Sequence, residues 1–184
     1  AAATKPFGFM PFFPGPGIGG HCIPLDPHYL EFKAREYNFQ TRFVTLAGEI
    51  NRSMPKFVVD KAARLLSNEG VALSRARVLV LGVAYKPDID DSRESPAIHI
   101  LRLLQDSGAE TFFHDPYVRG VDEEGVTMLS SDLSADLLSS CDLVIGATAH
   151  ACTDIEWVVE HSRQFLDTRN MTRHLGTRSN VTLL

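Results

Sequence analysis

Apolar residues follow two rhythms along this chain. Through residue 70 they recur at spacings of three and four. Ala47, Ile50, Met54, Phe57, Val58, Ala62, Leu65 and Leu66 make one face of a long amphipathic helix. Pro55 falls inside it and predicts a kink, or a restart capped by Ser53, because proline lacks the helical N–H and its ring crowds the preceding turn. Gly70 predicts the end of the helix. Upstream, Asp26-Pro27 reads as an N-cap with proline at the first helical position, opening a short helix through about Tyr37.

From residue 76 the rhythm changes. The run Arg77-Val-Leu-Val-Leu-Gly-Val83 is almost wholly apolar, as expected of a parallel strand covered on both faces. Ser95-Pro96 opens a helix with Ile98, Leu101 and Leu104 on one face, and Gly108 stops it. Strands are predicted over 110–114, 142–146 and 164–167, with helices around 132–139 and 154–160, and a last strand over 181–184. Strands alternating with helices make βαβ units, so the fold class is α/β, a parallel sheet preceded by a helical region.

Composition removes several function classes. With 44% hydrophobic and 22% charged residues the 184-residue chain can bury a core and is not disordered. Eighteen basic against 23 acidic residues leave a net charge of −5, which argues against a nucleic-acid partner. No apolar run approaches the roughly 20 residues of a membrane span; 78–84 is among the longest and is strand-sized. Three cysteines, Cys22, Cys141 and Cys152, lie far apart, which excludes a disulfide framework and suits a reducing, cytoplasmic compartment. The chain starts Ala1-Ala2-Ala3-Thr4 without methionine. The apolar stretch Phe7 to Phe13 is broken by Pro and Gly, a poor signal peptide, so the chain is expected to begin partway through a longer protein.

Three segments carry candidate chemistry. The first is Pro14-Gly-Pro-Gly-Ile-Gly-Gly-His-Cys-Ile-Pro-Leu-Asp-Pro27. Gly15, Gly17 and Gly20 spell G-x-G-x-x-G, but Phe12-Phe13-Pro14 precedes them, Pro16 sits inside, and no βαβ unit follows. A close-approach loop that offers backbone N–H groups to a ligand fits better. Cys22 stands just before a helix start, where a thiolate is favoured; it reads either as a nucleophile or as a structural thiol. Asp26 reads as a helix cap, a base, or both. A zinc site from His21, Cys22, Asp26 and His28 matches no usual ligand spacing, so no metal is expected. The second segment runs from Leu81 to Pro96 across a strand's carboxyl end, where open parallel sheets bind ligands. Lys86 and Arg93 suit a phosphate, while Asp88, Asp90, Asp91 and Glu94 read as a solvated loop that pairs with Arg93. The third is Phe165-Leu-Asp-Thr-Arg-Asn170, which puts Arg169 on the same edge; His150, after the preceding strand, reads as structural.

Taken together, these residues resemble the UDP-glucose/GDP-mannose dehydrogenase family. Gly19-Gly20-His21-Cys22-Ile23-Pro24 looks like its catalytic-cysteine motif. The longer Pro14–Cys22 form, with Ala34-Arg-Glu-Tyr37 and Ala47-Gly-Glu-Ile-Asn51, looks most like the branch acting on UDP-N-acetyl sugars, especially UDP-N-acetylglucosamine. The likeness runs from about Lys5 to Asn170. It implies a cysteine loop and central helical region over 1–73, a Rossmann-like UDP-sugar-binding domain over 74–184, and an N-terminal NAD-binding domain outside this chain. It further implies a homodimer through the central helix and no membrane partner. By position, Cys22 would be the nucleophile and Asp26 its helper with water; Gly19, Lys86 and Arg169 would meet the substrate; and Arg93 would reach NAD. Ala149 stands where relatives often carry Asp, which leaves His150 without an implied role. Other readings remain open: a dehydrogenase of UDP-N-acetylmannosamine or UDP-glucose instead, a UDP-sugar-binding or dimerisation module without turnover, and a cysteine hydrolase, which needs a histidine within reach of Cys22.

Overall fold

The structure, a computed structural model, describes residues 4–8 and 12–184. Ala1–Ala3 and part of the apolar stretch 7–13 therefore lie outside the described residues.

The chain runs α1 (Asp26–Arg35), α2 (Arg42–Asn68), a 3-10 turn (Leu73–Arg75), β1 (Arg77–Leu81), α3 (Pro96–Asp106), β2 (Glu110–His114), β3 (Gly120–Glu123), β4 (Val126–Leu129), α4 (Ala135–Ser140), β5 (Leu143–Gly146), α5 (Ile155–His161), β6 (Phe165–Asp167) and β7 (Val181–Leu183). Five strands form one parallel sheet in the order β2-β1-β5-β6-β7. Helices cover both faces. Val78 and Val80 of β1 pack with α2 and α3, while Leu79 and Leu81 pack with α4 and α5. Burial on both faces is why β1 reads as a nearly unbroken apolar run rather than an alternating one.

Side-chain capping sets three helix starts. The Ser95 hydroxyl accepts from the Ala97 N–H at 3.3 Å with Pro96 in the first turn, Ser134 caps α4 and Asp154 caps α5. The opening of α1 departs from expectation. Leu25, not Asp26, occupies the cap position and offers no side-chain bond; Asp26 is the first helical residue. The turn before it closes instead through backbone, with the Leu25 and Asp26 N–H groups donating to the Cys22 carbonyl at 3.1 and 2.8 Å. Nor does α2 restart at Ser53. It is one helix of 27 residues through Pro55, and the Ser53 hydroxyl donates back to the Ile50 carbonyl at 2.7 Å. The buried stripe Pro55, Val58, Val59, Ala62 and Leu66 holds it in register.

One element went unread: the antiparallel hairpin β3–β4, whose two-residue loop Glu124-Gly125 has φ of 53° and 83°. Positive φ at both positions is the geometry that splices twisted strands tightly, and glycine in the second place is its signal.

Candidate active site at the strand carboxyl edge

Strand order reverses between β1 and β5, where Leu81 pairs with Gly146. The loop after β1 leads to α3 on one face and the loop after β5 leads to α5 on the other, so a crevice opens at their carboxyl ends. Each segment singled out above meets there.

A buried pair sets the loop after β1. Asp115, at the end of β2, accepts at Oδ2 from the N–H groups of Val83 (2.7 Å) and Ala84 (3.0 Å), and at Oδ1 from Tyr117 and Val118. His150 Nε2 lies 3.0 Å from the same Oδ2, and its Nδ1 accepts from the Asp88 N–H at 3.0 Å. With Nδ1 as the acceptor of that N–H, Nε2 is the nitrogen placed to donate to Asp115. Burial pushes the Asp115 carboxyl up. The bonds from His150 and from the Val118, Ala84 and Tyr117 N–H groups outweigh it and hold the pKa below the ordinary carboxylate range. His150 thus ties the Lys86 loop to β2. In sequence Asp115 is marked only by Asp115-Pro116 directly after the strand β2.

The same loop touches the glycine segment. The Tyr85 ring lies against Gly20, and a Cβ on Gly19 would fall 2.5 Å from the Glu94 carbonyl and 2.9 Å from Tyr85. Gly20 has φ of 91°, which glycine adopts without strain. The close approach expected of these glycines is real, but it is made to the chain's own β1–α3 loop. Lys86 is exposed, with its ammonium 5.5 Å from the Tyr85 ring centre. Arg93 grips Asp91 in a fork, Nε to Oδ1 at 2.9 Å and Nη2 to Oδ2 at 2.8 Å, which holds the Asp91 carboxyl well below the usual range. His21 Nε2 approaches the same carboxylate at 3.3 Å.

Arg169 comes from the other side. It leaves the end of β6 half-buried, donates from Nε to the Ala147 carbonyl at 2.9 Å and from Nη2 to the Gly17 carbonyl at 3.2 Å, and lies over Gly15. Burial lowers its pKa. Beside it is a cleft of about 340 Å³ lined by Thr148, Ala149, His150, Arg169, Arg173 and His174. Arg173 and His174 lie just after Asn170, in a stretch of sequence without helix or strand periodicity.

Cys22 is exposed at the turn before α1, and Asp26 is exposed one helical turn on. Neither nearby histidine is bonded to the thiol. His21 faces Asp91, and His28 lies between Glu31 (3.4 Å) and Arg52 (3.1 Å). The hydrolase reading therefore lacks its base among the described residues. Those residues also hold no group of three or more His, Cys, Asp or Glu arranged for a metal, and no helix long and apolar enough to cross a membrane.

Residues 79–174 match the UDP binding domain of the UDP-glucose/GDP-mannose dehydrogenase family, and residues 1–53 match its central domain. The UDP-N-acetyl-D-mannosamine dehydrogenase of Pyrococcus horikoshii is 34% identical over 137 residues, 74% of this chain and 30% of that protein. The UDP-N-acetyl-D-glucosamine 6-dehydrogenase of Pseudomonas aeruginosa is 31% identical over 154 residues, 82% of this chain and 35% of that protein. Among solved structures, the P. horikoshii UDP-D-ManNAc dehydrogenase superposes with a TM-score of 0.78 at 26% identity, over 99% of this chain and 41% of that one. The NDP-N-acetyl-D-galactosaminuronic acid dehydrogenase of Methanosarcina mazei does so at 0.75 and 25% identity, over 94% and 39%. The chain spans about a third of the length of the relatives it matches.

Proposed function

This chain belongs to the UDP-glucose/GDP-mannose dehydrogenase family, and we propose that it is the thiol-bearing and nucleotide-binding part of a longer cytoplasmic enzyme that oxidises the C6 alcohol of a UDP-N-acetylhexosamine to a carboxylate. In this reading residues 1–73 carry the cysteine loop and central helices, residues 74–184 form the UDP-sugar domain, and the NAD-binding domain lies on the parent chain. The substrate class rests on relatives named for the mannosamine and the glucosamine sugars, which match at 34% and 31% identity. One observation carries the proposal. Two segments distant in sequence converge on the glycine loop before Cys22: Tyr85, with the Lys86 ammonium over its ring, packs against Gly19 and Gly20, and Arg169 against Gly15 and Gly17.

Lys86 and Arg169 supply positive charge for a diphosphate, Lys86 as a point charge on an exposed stem and Arg169 through the guanidinium N–H groups that the Ala147 and Gly17 carbonyls leave free. Gly19, without a side chain, offers its backbone to the sugar. The Cys22 thiolate adds to the C6 aldehyde carbon and holds it as a thiohemiacetal, whose oxidised form is a thioester. Water then attacks the thioester carbon, Asp26 accepts the water's proton, the C–S bond breaks, and the carboxylate leaves with the thiol restored. NAD, when bound, would supply the hydride acceptor for both oxidations, alcohol to aldehyde and thiohemiacetal to thioester, two equivalents per substrate. Arg93 is this chain's residue toward it. Its pair with Asp91 uses Nε and Nη2 and leaves Nη1 without a partner among the described residues, which fits a phosphate or ribose contact.

A homodimer through α2 is part of the proposal. Its support is the outward display of Tyr29 and Phe32 on α1 and of Phe43 and Leu46 on α2. Replacement of Cys22 by alanine in the full-length enzyme is expected to abolish acid formation while UDP still binds. Retained turnover overturns the nucleophile role, and absence of turnover in the parent enzyme itself leaves only the binding module. In this chain UDP is expected to raise Tm, and Lys86→Ala and Arg169→Ala are expected to reduce that rise; an unchanged response removes them from the site.

A further inference from the structure

The buried stripe of α2 continues past Pro55 toward the helix N-terminus, and its next member is polar. Asn51 lies four residues before Pro55, on the same side of the helix. Its side chain leaves the helix for a stretch of backbone. Oδ1 accepts from the Ile18 N–H at 2.7 Å and Nδ2 donates to the Ile18 carbonyl at 3.3 Å. A side-chain amide that pairs with both groups of one peptide residue acts as a neighbouring strand would, fixing position and orientation together.

Pro55 adds to this seat. It has no N–H to give the carbonyl four residues back, and that carbonyl belongs to Asn51. The Asn51 carbonyl lies 3.5 Å from where a Cβ on Gly17 would stand, and the Gly17 carbonyl in turn accepts from Arg169. Two consecutive loop residues are thus held from two different elements, Ile18 from α2 and Gly17 from the end of β6. Both lie just ahead of the turn that carries Cys22, whose carbonyl closes the start of α1.

We propose that Asn51 is a positioning residue for the Cys22 turn, holding the Ile18 peptide so that the glycine loop delivers the thiol to the crevice along one path. The meaning of this role rests on the reading of Cys22 as nucleophile, whereas its test does not depend on turnover. In the 184-residue chain, hydrogen exchange at the Ile18 amide is compared in the parent, Asn51→Ala and Asn51→Asp. Loss of one hydrogen bond is expected to speed Ile18 exchange about tenfold in the alanine variant. The aspartate variant keeps the acceptor for the Ile18 N–H but sets an oxygen against the Ile18 carbonyl, and is expected to speed exchange less than the alanine variant. Alanine favours helix more than asparagine does, so α2 and the Tm should hold. Iodoacetamide labelling of Cys22 is expected to change relative to Cys152, which a purely structural loss would not single out. Unchanged Ile18 exchange in the alanine variant, or equal acceleration in both variants, overturns the proposal. If the alanine variant does not fold, Asn51→Gln replaces it. That side chain keeps the amide one methylene out of place and is expected to speed Ile18 exchange; parent-like exchange there also overturns the proposal. An unchanged exchange rate would leave the nucleophile role of Cys22 standing, and an active Cys22→Ala enzyme would leave the exchange result standing.

Discussion

The sheet half and the helical half of this chain treat their apolar residues in opposite ways. In the sheet half every residue from Val78 to Leu81 is covered, alternate side chains facing α2 and α3 or α4 and α5, and Phe113 and Phe165 are fully enclosed. In the helical half Phe43 is 88% exposed and Phe32 71% exposed, with Tyr29, Leu46 and Ile50 alongside. The difference is one of closure. A parallel sheet with helices on both faces buries its own strands, whereas α1 and the first half of α2 have one covered side and an aromatic-rich outer side. The glycine loop ahead of Cys22 is strung between the two. It rests on Tyr85 and Arg169 of the closed half and on Asn51 of the open one.

The largest expected effect tests that contrast directly. Phe165→Ala should cost about 3–5 kcal/mol in urea unfolding, because it opens a cavity under α4 and α5. Phe43→Ala in dilute chain should stay within about 0.5 kcal/mol of the parent. Equal losses would mean that the helical half closes on itself, and a Phe43 loss that appears only at high concentration would place a second copy on that face.

Next in size is Asp115→Ala, which strips the partner from His150 and from four backbone N–H groups and should cost about 3 kcal/mol. The pH dependence has a definite sign. The native pKa of Asp115 is lowered below its unfolded value, so its stabilisation is complete above about pH 4 and drains away as pH falls below that. The parent should lose stability steeply on acidification through that range, and the slope should flatten in Asp115→Asn. An identical acid limb in both proteins would remove Asp115 as its cause.

Smaller is Gly20→Ala, where a positive φ and a Cβ 2.8 Å from the Tyr85 ring should together cost about 1–2 kcal/mol and weaken the UDP response. A variant as stable as the parent would show that the loop can back away from Tyr85 freely. Smallest is Lys56→Ala on the exposed side of α2. The pair with Asp60 at 2.7 Å should contribute no more than about 0.5 kcal/mol and fade with added salt, by thermal melts at low and high ionic strength.

Much of this architecture was legible locally. The 3.6-residue rhythm of α2, the Ser95-Pro96 start of α3 and the covered run of β1 each follow from interactions within a few residues, and a linear sequence states those openly. Asp26 shows the limit of such reading. It has the composition of a cap, but the backbone turn closed by the Cys22 carbonyl moved the helix start by one residue. The hairpin β3–β4 was legible through Glu124-Gly125 and went unread because its strands are only four residues long.

Among the candidate residues, Cys22, Lys86, Arg93 and Arg169 announced themselves by residue type and by position at a loop or strand end. Asn51, Asp115 and Tyr85 did not, because each acts on backbone or ring surface far away in sequence. The sequence by itself determined the α/β class, the helical region ahead of the sheet, and the three segments that hold the candidate residues. Only the tertiary structure decided that Gly17 meets Arg169, that Ile18 meets Asn51, and that His150 braces the Lys86 loop through Asp88 and Asp115. The physical reason is range. Helix and strand choice is set by neighbours within a turn or two, whereas which loops share an edge depends on strand order and on buried packing that joins residues tens of positions apart.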